Sequence, residues 1–150
     1  MVFSFHGITM DIDLEKTRAY YADRPTVRHT CSCGGCQNYD KAILTAPKSV
    51  LAFFEQLGLD PQKPCEAFGL DLKPDENGWY RYGGWYHVVG QLLEAADREV
   101  SIESAYRPAL DYEFMVWFSD DKRKFGPVSR DFPTPIIALS FQICLPWLPD

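Results

Sequence analysis

The sequence has no apolar run approaching the roughly 18 to 20 residues that a membrane-spanning helix needs, so no membrane partner is expected. It also has no excess of positive charge. Fifteen Lys and Arg face 21 Asp and Glu, for a net charge of −6. Counterion-release binding to a phosphate backbone needs clustered cations, so no nucleic acid is expected as a ligand. The opening residues MVFSFHGITMDIDLEK lack the basic n-region of a secretory signal, which predicts a cytoplasmic location. In that reducing setting cysteines stay as thiols, and five is in any case an odd number for a disulfide framework. Internal repeats, low-complexity tracts, phosphate-binding glycine loops, nucleophile elbows and metalloprotease signatures are all missing. No catalytic residue is assigned from motif, and the expectation leans away from an enzyme.

What is present is one ordinary domain, residues 1–150, long enough to bury roughly two thirds of its unfolded surface without staples. The clearest helix is SVLAFFEQLGLD, with Val50, Phe53, Phe54 and Leu57 at helical spacing and Gly58 at the C-terminal cap position. Thr45, ahead of Ala46-Pro47, reads as its N-cap. A shorter helical stretch from Cys36 to Leu44 precedes it, separated or kinked at Pro47. Beyond Pro64 the pattern changes to strands: EAFGLDL, a turn at Asn77-Gly78, then WYRYGGWYHVVG. Later, Tyr112, Phe114, Val116 and Phe118 alternate, as do Ile137, Leu139, Phe141, Ile143 and Leu145. The segment DDKRKFGPVSRDFP between these two reads as a solvated loop, and VRHTCSC as a further strand. The sum is an α+β fold, a mostly antiparallel β-sheet packed against one or two helices.

Three of the five cysteines lie within CSCGGC. In an extended VRHTCSC, Cys31 and Cys33 share a face with Cα atoms about 6.6 Å apart. A positive-φ reversal at Gly34-Gly35 would return Cys36 beside them, as in a Cys-x-x-Cys knuckle. These residue types point to a soft transition metal, zinc first. Zinc normally takes four ligands, and the fourth candidates are Cys65, His29 or a group from a partner protein. His6 and His87 are distant in sequence, and Cys144 points away from the presumed core face of its strand. The metal's expected role is structural, holding a strand end to a helix start or shaping a protein-interaction surface. One alternative is a redox or thiol-reactive protein with Cys36 as nucleophile, activated by a helix N-terminus. Another is an inert, reduced turn.

A third alternative is a metal-free binding module. The aromatic stretch supplies Trp79, Tyr80, Arg81, Tyr82, Trp85 and His87 as a possible ligand surface for a peptide, sugar, protein partner or second copy of the chain. Glu66, Asp71, Glu94, Asp111 and Glu113 place charge near His87 in sequence, which makes that residue a conceivable general base. A single His among aromatics is more commonly packed and hydrogen-bonded in place. Gly83-Gly84 suggest a bulge or a close backbone approach.

CSCGGCQNYDKAI, FFEQLGLDPQKP, GWYRYGGWYHVVG and SFQICLPWL together resemble an uncharacterised family of small proteins from Firmicutes, over most of the chain. The resemblance implies a bacterial cytosolic setting. It implies no activity, cofactor or site residue.

Overall fold

A computed structural model describes residues 1–5, 7–95 and 112–148. His6, Asp111 and the start of the ALDYEFMVWF segment lie outside them, and so does the Glu94 side chain. The strands are β1 (Val2–Phe5), β2 (Ile8–Ile12), β3 (Glu66–Gly69), β4 (Trp79–Ala95), β5 (Phe114–Ser119) and β6 (Ile136–Pro146). The helices are α1 (Leu14–Ala22), α2 (Val27–Thr30), α3 (Gly34–Ala42) and α4 (Lys48–Gln56). All strand pairs are antiparallel and form one sheet in the order β1-β2-β4-β6-β5, with β3 also on β4. The α+β expectation therefore holds, with four α-helices among the described residues where one or two were expected. Among the described residues, no helix is long and apolar enough to cross a membrane.

The long strand β4 organises the molecule. It pairs with β6 from Trp79 to Val89, with β3 over Tyr82–Trp85 and with β2 from Gly90 onward. Between the β3 and β2 segments, the main-chain groups that His87 and Val89 turn away from β6 have no strand beside them. Helix α1 supplies the missing partners. The Tyr21 hydroxyl donates to the His87 carbonyl at 2.7 Å and accepts the His87 N–H at 3.0 Å. The Thr17 hydroxyl oxygen accepts the Val89 N–H at 3.1 Å, and the Asp13 N–H donates to the Val89 carbonyl at 2.8 Å. Buried main-chain polar groups need such partners, which explains why both Thr17 and Tyr21 are buried. Helix α1 itself begins where the Asp13 carboxylate accepts the Lys16 N–H at 3.0 Å.

Strand parity is as the alternation implied. Phe114, Val116 and Phe118 are buried along β5, and Ile137, Leu139, Phe141, Ile143 and Leu145 along β6. On β4, Tyr82, Tyr86 and Val88 face the helices, where Tyr39 packs on Tyr82 and Phe54 on Tyr86. Trp85 and His87 face the other way, toward Phe68 and toward Phe125 and Phe132. Gly84 permits a close approach rather than a bulge, since a Cβ there would sit 2.1 Å from the Glu66 carbonyl oxygen.

Several expectations need correction. Residues Val27–Thr30 form helix α2, not a strand, because the Cys31 N–H closes on the Val27 carbonyl and the Thr30 hydroxyl donates to the same oxygen. Strand β3 covers only Glu66–Gly69 of EAFGLDL. Thr45 does not cap α4: its hydroxyl donates to the Ala42 carbonyl within a 3-10 turn, and Pro47 takes the cap position. The DDKRKFGPVSRDFP segment is not simply solvated. Its Phe125 and Phe132 are buried and hold the His87 ring between them and β4.

Candidate metal centre

Helix α2 ends at Cys31, whose extended backbone carries the chain through Ser32 to Cys33, the N-cap of α3. Gly34 and Gly35 are the first two residues of α3, not a positive-φ reversal. Convergence of the sulfurs therefore comes from capping geometry: Cys33 Sγ folds over the start of α3 and accepts the Cys36 N–H at 3.3 Å. One helical turn along, the Cys36 side chain lies beneath it. Cys31 Sγ reaches Cys33 Sγ at 3.2 Å, and all three sulfurs lie within 4.8 Å of one another. In a tetrahedral zinc site with Zn–S near 2.3 Å, sulfurs stand about 3.8 Å apart. The Cys31–Cys33 separation of 3.2 Å is shorter than that value and no pair exceeds 4.8 Å, so the three sulfurs are close enough to share one ion.

Polar residues that follow the cluster lock it in place. Gln37 Nε2 donates to the carbonyls of Arg28 and Cys31, both at 3.0 Å, tying α2 to α3. Asn38 Nδ2 donates to the Tyr82 hydroxyl and the Pro146 carbonyl, both at 3.1 Å, and Asn38 Oδ1 accepts the Leu148 N–H at 2.7 Å. The Tyr82 hydroxyl in turn donates to the Gly35 carbonyl at 2.9 Å. The first turn of α3 is thereby fastened to both β4 and the end of β6.

The three thiols are electrostatically unequal. The Cys36 N–H and the Cys31 thiol both donate toward Cys33 Sγ and hold the Cys33 thiol below its ordinary pKa. The helix dipole acts in the same sense. Cys36 is buried, and burial together with the neighbouring Cys31 and Cys33 pushes its thiol well up. The expected nucleophile at Cys36 is thus reversed in polarity. Cys33 is exposed and favoured as thiolate, and Cys36 is buried and favoured as thiol.

The proposed fourth ligands lie outside the cluster. His29 sits in α2, where its Nδ1 is 3.0 Å from the Thr26 hydroxyl. Cys65 lies beside β4 just ahead of β3, with Sγ 3.4 Å from His87 Nδ1 and 3.7 Å from the Tyr21 hydroxyl. Among the described residues, the three-sulfur group is the only His, Cys, Asp or Glu cluster with metal-ligand spacing.

The aromatic stretch does not form one surface. Tyr82 and His87 are buried, Tyr80 and Trp85 half-buried, and Trp79 exposed. Arg81 is exposed and pairs with Asp71 at 2.8 Å. On the Trp79 and Arg81 side, a recess is bounded by Asp71, Leu72, Glu113 and Cys144. The contact between Cys65 and His87 had no counterpart in the sequence reading. Its only signal there is the pairing of β3 with β4, which sets Glu66 opposite Trp85 and so brings Cys65 near His87. Comparison of the chain with protein-family models, with curated proteins and with solved structures found no match.

Proposed function

We propose that this chain binds one soft transition-metal ion, zinc first, through the thiolates of Cys31, Cys33 and Cys36, and that the ion serves a structural role. The observation that carries the proposal is the convergence of three sulfurs within 4.8 Å at a capped and braced helix start. The donor set suits the ion: thiolates select zinc and other soft metals, and an N–H donated to a ligating sulfur is the kind of support such ligands need. Metal binding displaces thiol protons, so affinity rises with pH. The ion would clamp the end of α2 to the start of α3. Cys33 is exposed and Cys31 half-buried, so the fourth position would open outward, to water or to a ligand from a protein partner or second copy of the chain. A bacterial cytoplasmic setting is consistent with such thiols staying reduced. Elemental analysis of protein purified without added metal is expected to find one zinc per chain, and a strong loss in Cys33→Ser. Metal-free protein with unchanged stability on zinc addition would refute it.

A second reading, thiol–disulfide chemistry, is favoured by one observation. An exposed thiol with lowered pKa caps a helix, and a buried thiol with raised pKa stands one turn behind it. In this reading Cys33 attacks and Cys36 resolves the mixed disulfide.

A further inference from the structure

We propose that Cys65 and His87 form a second thiol site, independent of the metal centre, in which Cys65 is a nucleophile toward activated acyl groups and His87 is its general base. The hydrogen-bond pattern assigns the protons. His87 Nε2 lies 2.7 Å from the Phe125 carbonyl oxygen, which can only accept, so Nε2 carries the ring proton. In a neutral imidazole, Nδ1 is then a bare lone pair. It faces Cys65 Sγ at 3.4 Å, and the thiol donates to it. The Tyr21 hydroxyl, 3.7 Å from the same sulfur, has already spent its proton on the His87 carbonyl. It therefore stands as a second, more distant acceptor for the thiol proton beside Nδ1.

This is the arrangement that nucleophilic catalysis requires: nucleophile, base within hydrogen-bond reach, and a third group that orients the base. Here the orienting group is a main-chain carbonyl on a segment whose two aromatic rings enclose the imidazole, at 6.1 Å for Phe125 and 5.6 Å for Phe132. His87 is 1% exposed, whereas Cys65 is an exposed residue just before β3 whose sulfur is partly buried against His87 and the Tyr21 hydroxyl. Burial lowers the His87 pKa and raises that of Cys65, which keeps the resting pair as thiol and neutral imidazole. The proton moves only on attack. Cys65 Sγ bonds to the acyl carbon, the thiol proton passes to His87 Nδ1, and the carbonyl π pair moves to oxygen. When that pair returns, the bond to the leaving oxygen breaks, and the leaving group takes the proton from Nδ1. Water then attacks the thioester carbon and gives a proton to Nδ1. As the C–S bond breaks, that proton returns to sulfur, releasing a carboxylic acid and free Cys65.

The experiment uses the full chain in its reduced form, with p-nitrophenyl acetate as probe and peptide mass mapping to locate acetyl groups. Cys65 is expected to acetylate faster than Cys144 in the same molecule, with an initial burst of p-nitrophenol that precedes hydrolysis of the thioester. His87→Asn, which keeps a polar group near the sulfur but cannot take its proton, is expected to slow Cys65 acetylation by about 100-fold, the lower range for loss of a general base. Labelling of Cys33 and Cys144 should not change, which also reports that the variant is folded. Acetylation of Cys65 no faster than Cys144, or a rate indifferent to His87→Asn, overturns the proposal. If His87→Asn fails to fold, the wild-type comparison of Cys65 with Cys144 decides alone.

Discussion

Replacing Cys33 by Ser and by Ala separates two roles that one sulfur combines. In the metal-free chain Cys33 Sγ is the N-cap of α3 and accepts the Cys36 N–H at 3.3 Å. Serine keeps a capping acceptor and removes the thiolate, whereas alanine removes both. Loss of an N-cap side chain costs about 1 kcal/mol, which for a chain of this length lowers Tm by about 2 to 4 °C. With chelator present, Cys33→Ser is therefore expected within about 0.5 kcal/mol of wild type, and Cys33→Ala about 1 kcal/mol below it. With free zinc at 100 times the dissociation constant, linkage adds about 2.7 kcal/mol to wild type. Neither variant should gain comparably, because each keeps only two thiolates, so the gap between wild type and Cys33→Ser opens from near zero to about 2.7 kcal/mol. Urea unfolding followed by tryptophan fluorescence, with chelator and with zinc, reads all six values. Equal losses in Ser and Ala without metal would refute the capping argument. An equal zinc gain in Cys33→Ser and wild type would refute the coordination argument.

Two further predictions concern the same site. In the metal-free chain, alkylation by iodoacetamide should label Cys33 first, with a pH midpoint below that of an ordinary thiol because its thiolate accepts the Cys36 N–H and the Cys31 thiol. Cys36 should stay unlabelled over that pH range, since burial holds it protonated. Peptide mapping that found Cys36 labelled ahead of Cys33 would contradict both the polarity and the thiol–disulfide reading. Asn38→Leu should destabilise the chain by about 2 to 3 kcal/mol in urea unfolding, since it leaves buried partners of Asn38 unpaired. A loss below about 0.5 kcal/mol, the range of ordinary surface changes, would show that the brace between α3 and β6 is not needed.

The parts of the fold that burial periodicity dictates were legible in the sequence. Every residue of the Ile137-to-Leu145 alternation is buried, and so are Val50, Phe53, Phe54 and Leu57 on one side of α4. What escaped was local hydrogen bonding. In VRHTCSC, β-branched and apolar positions suggest a strand, yet the Thr30 hydroxyl bonds back to the Val27 carbonyl and Cys33 caps α3. The three sulfurs still converge, by helix capping in place of strand parity and a glycine reversal. Helix α1 was not anticipated because its work is polar: Asp13, Thr17 and Tyr21 serve its own cap and the buried, strand-free edge of β4. The Cys65 contact with His87 depends on the register of β3 on β4. A two-residue turn at Asn77-Gly78 implies a different register from the one observed, in which Gly69 pairs with Tyr82.

The central claim is that Cys31, Cys33 and Cys36 hold one metal ion. It is tested most directly by titrating the reduced, metal-free chain with zinc and mapping which thiols lose reactivity. Saturation is expected at one ion per chain, with Cys31 and Cys33 becoming protected from alkylation while Cys65 and Cys144 keep their metal-free rates. Protection that needs Cys65, or no change at Cys31 and Cys33 in excess zinc, would contradict it.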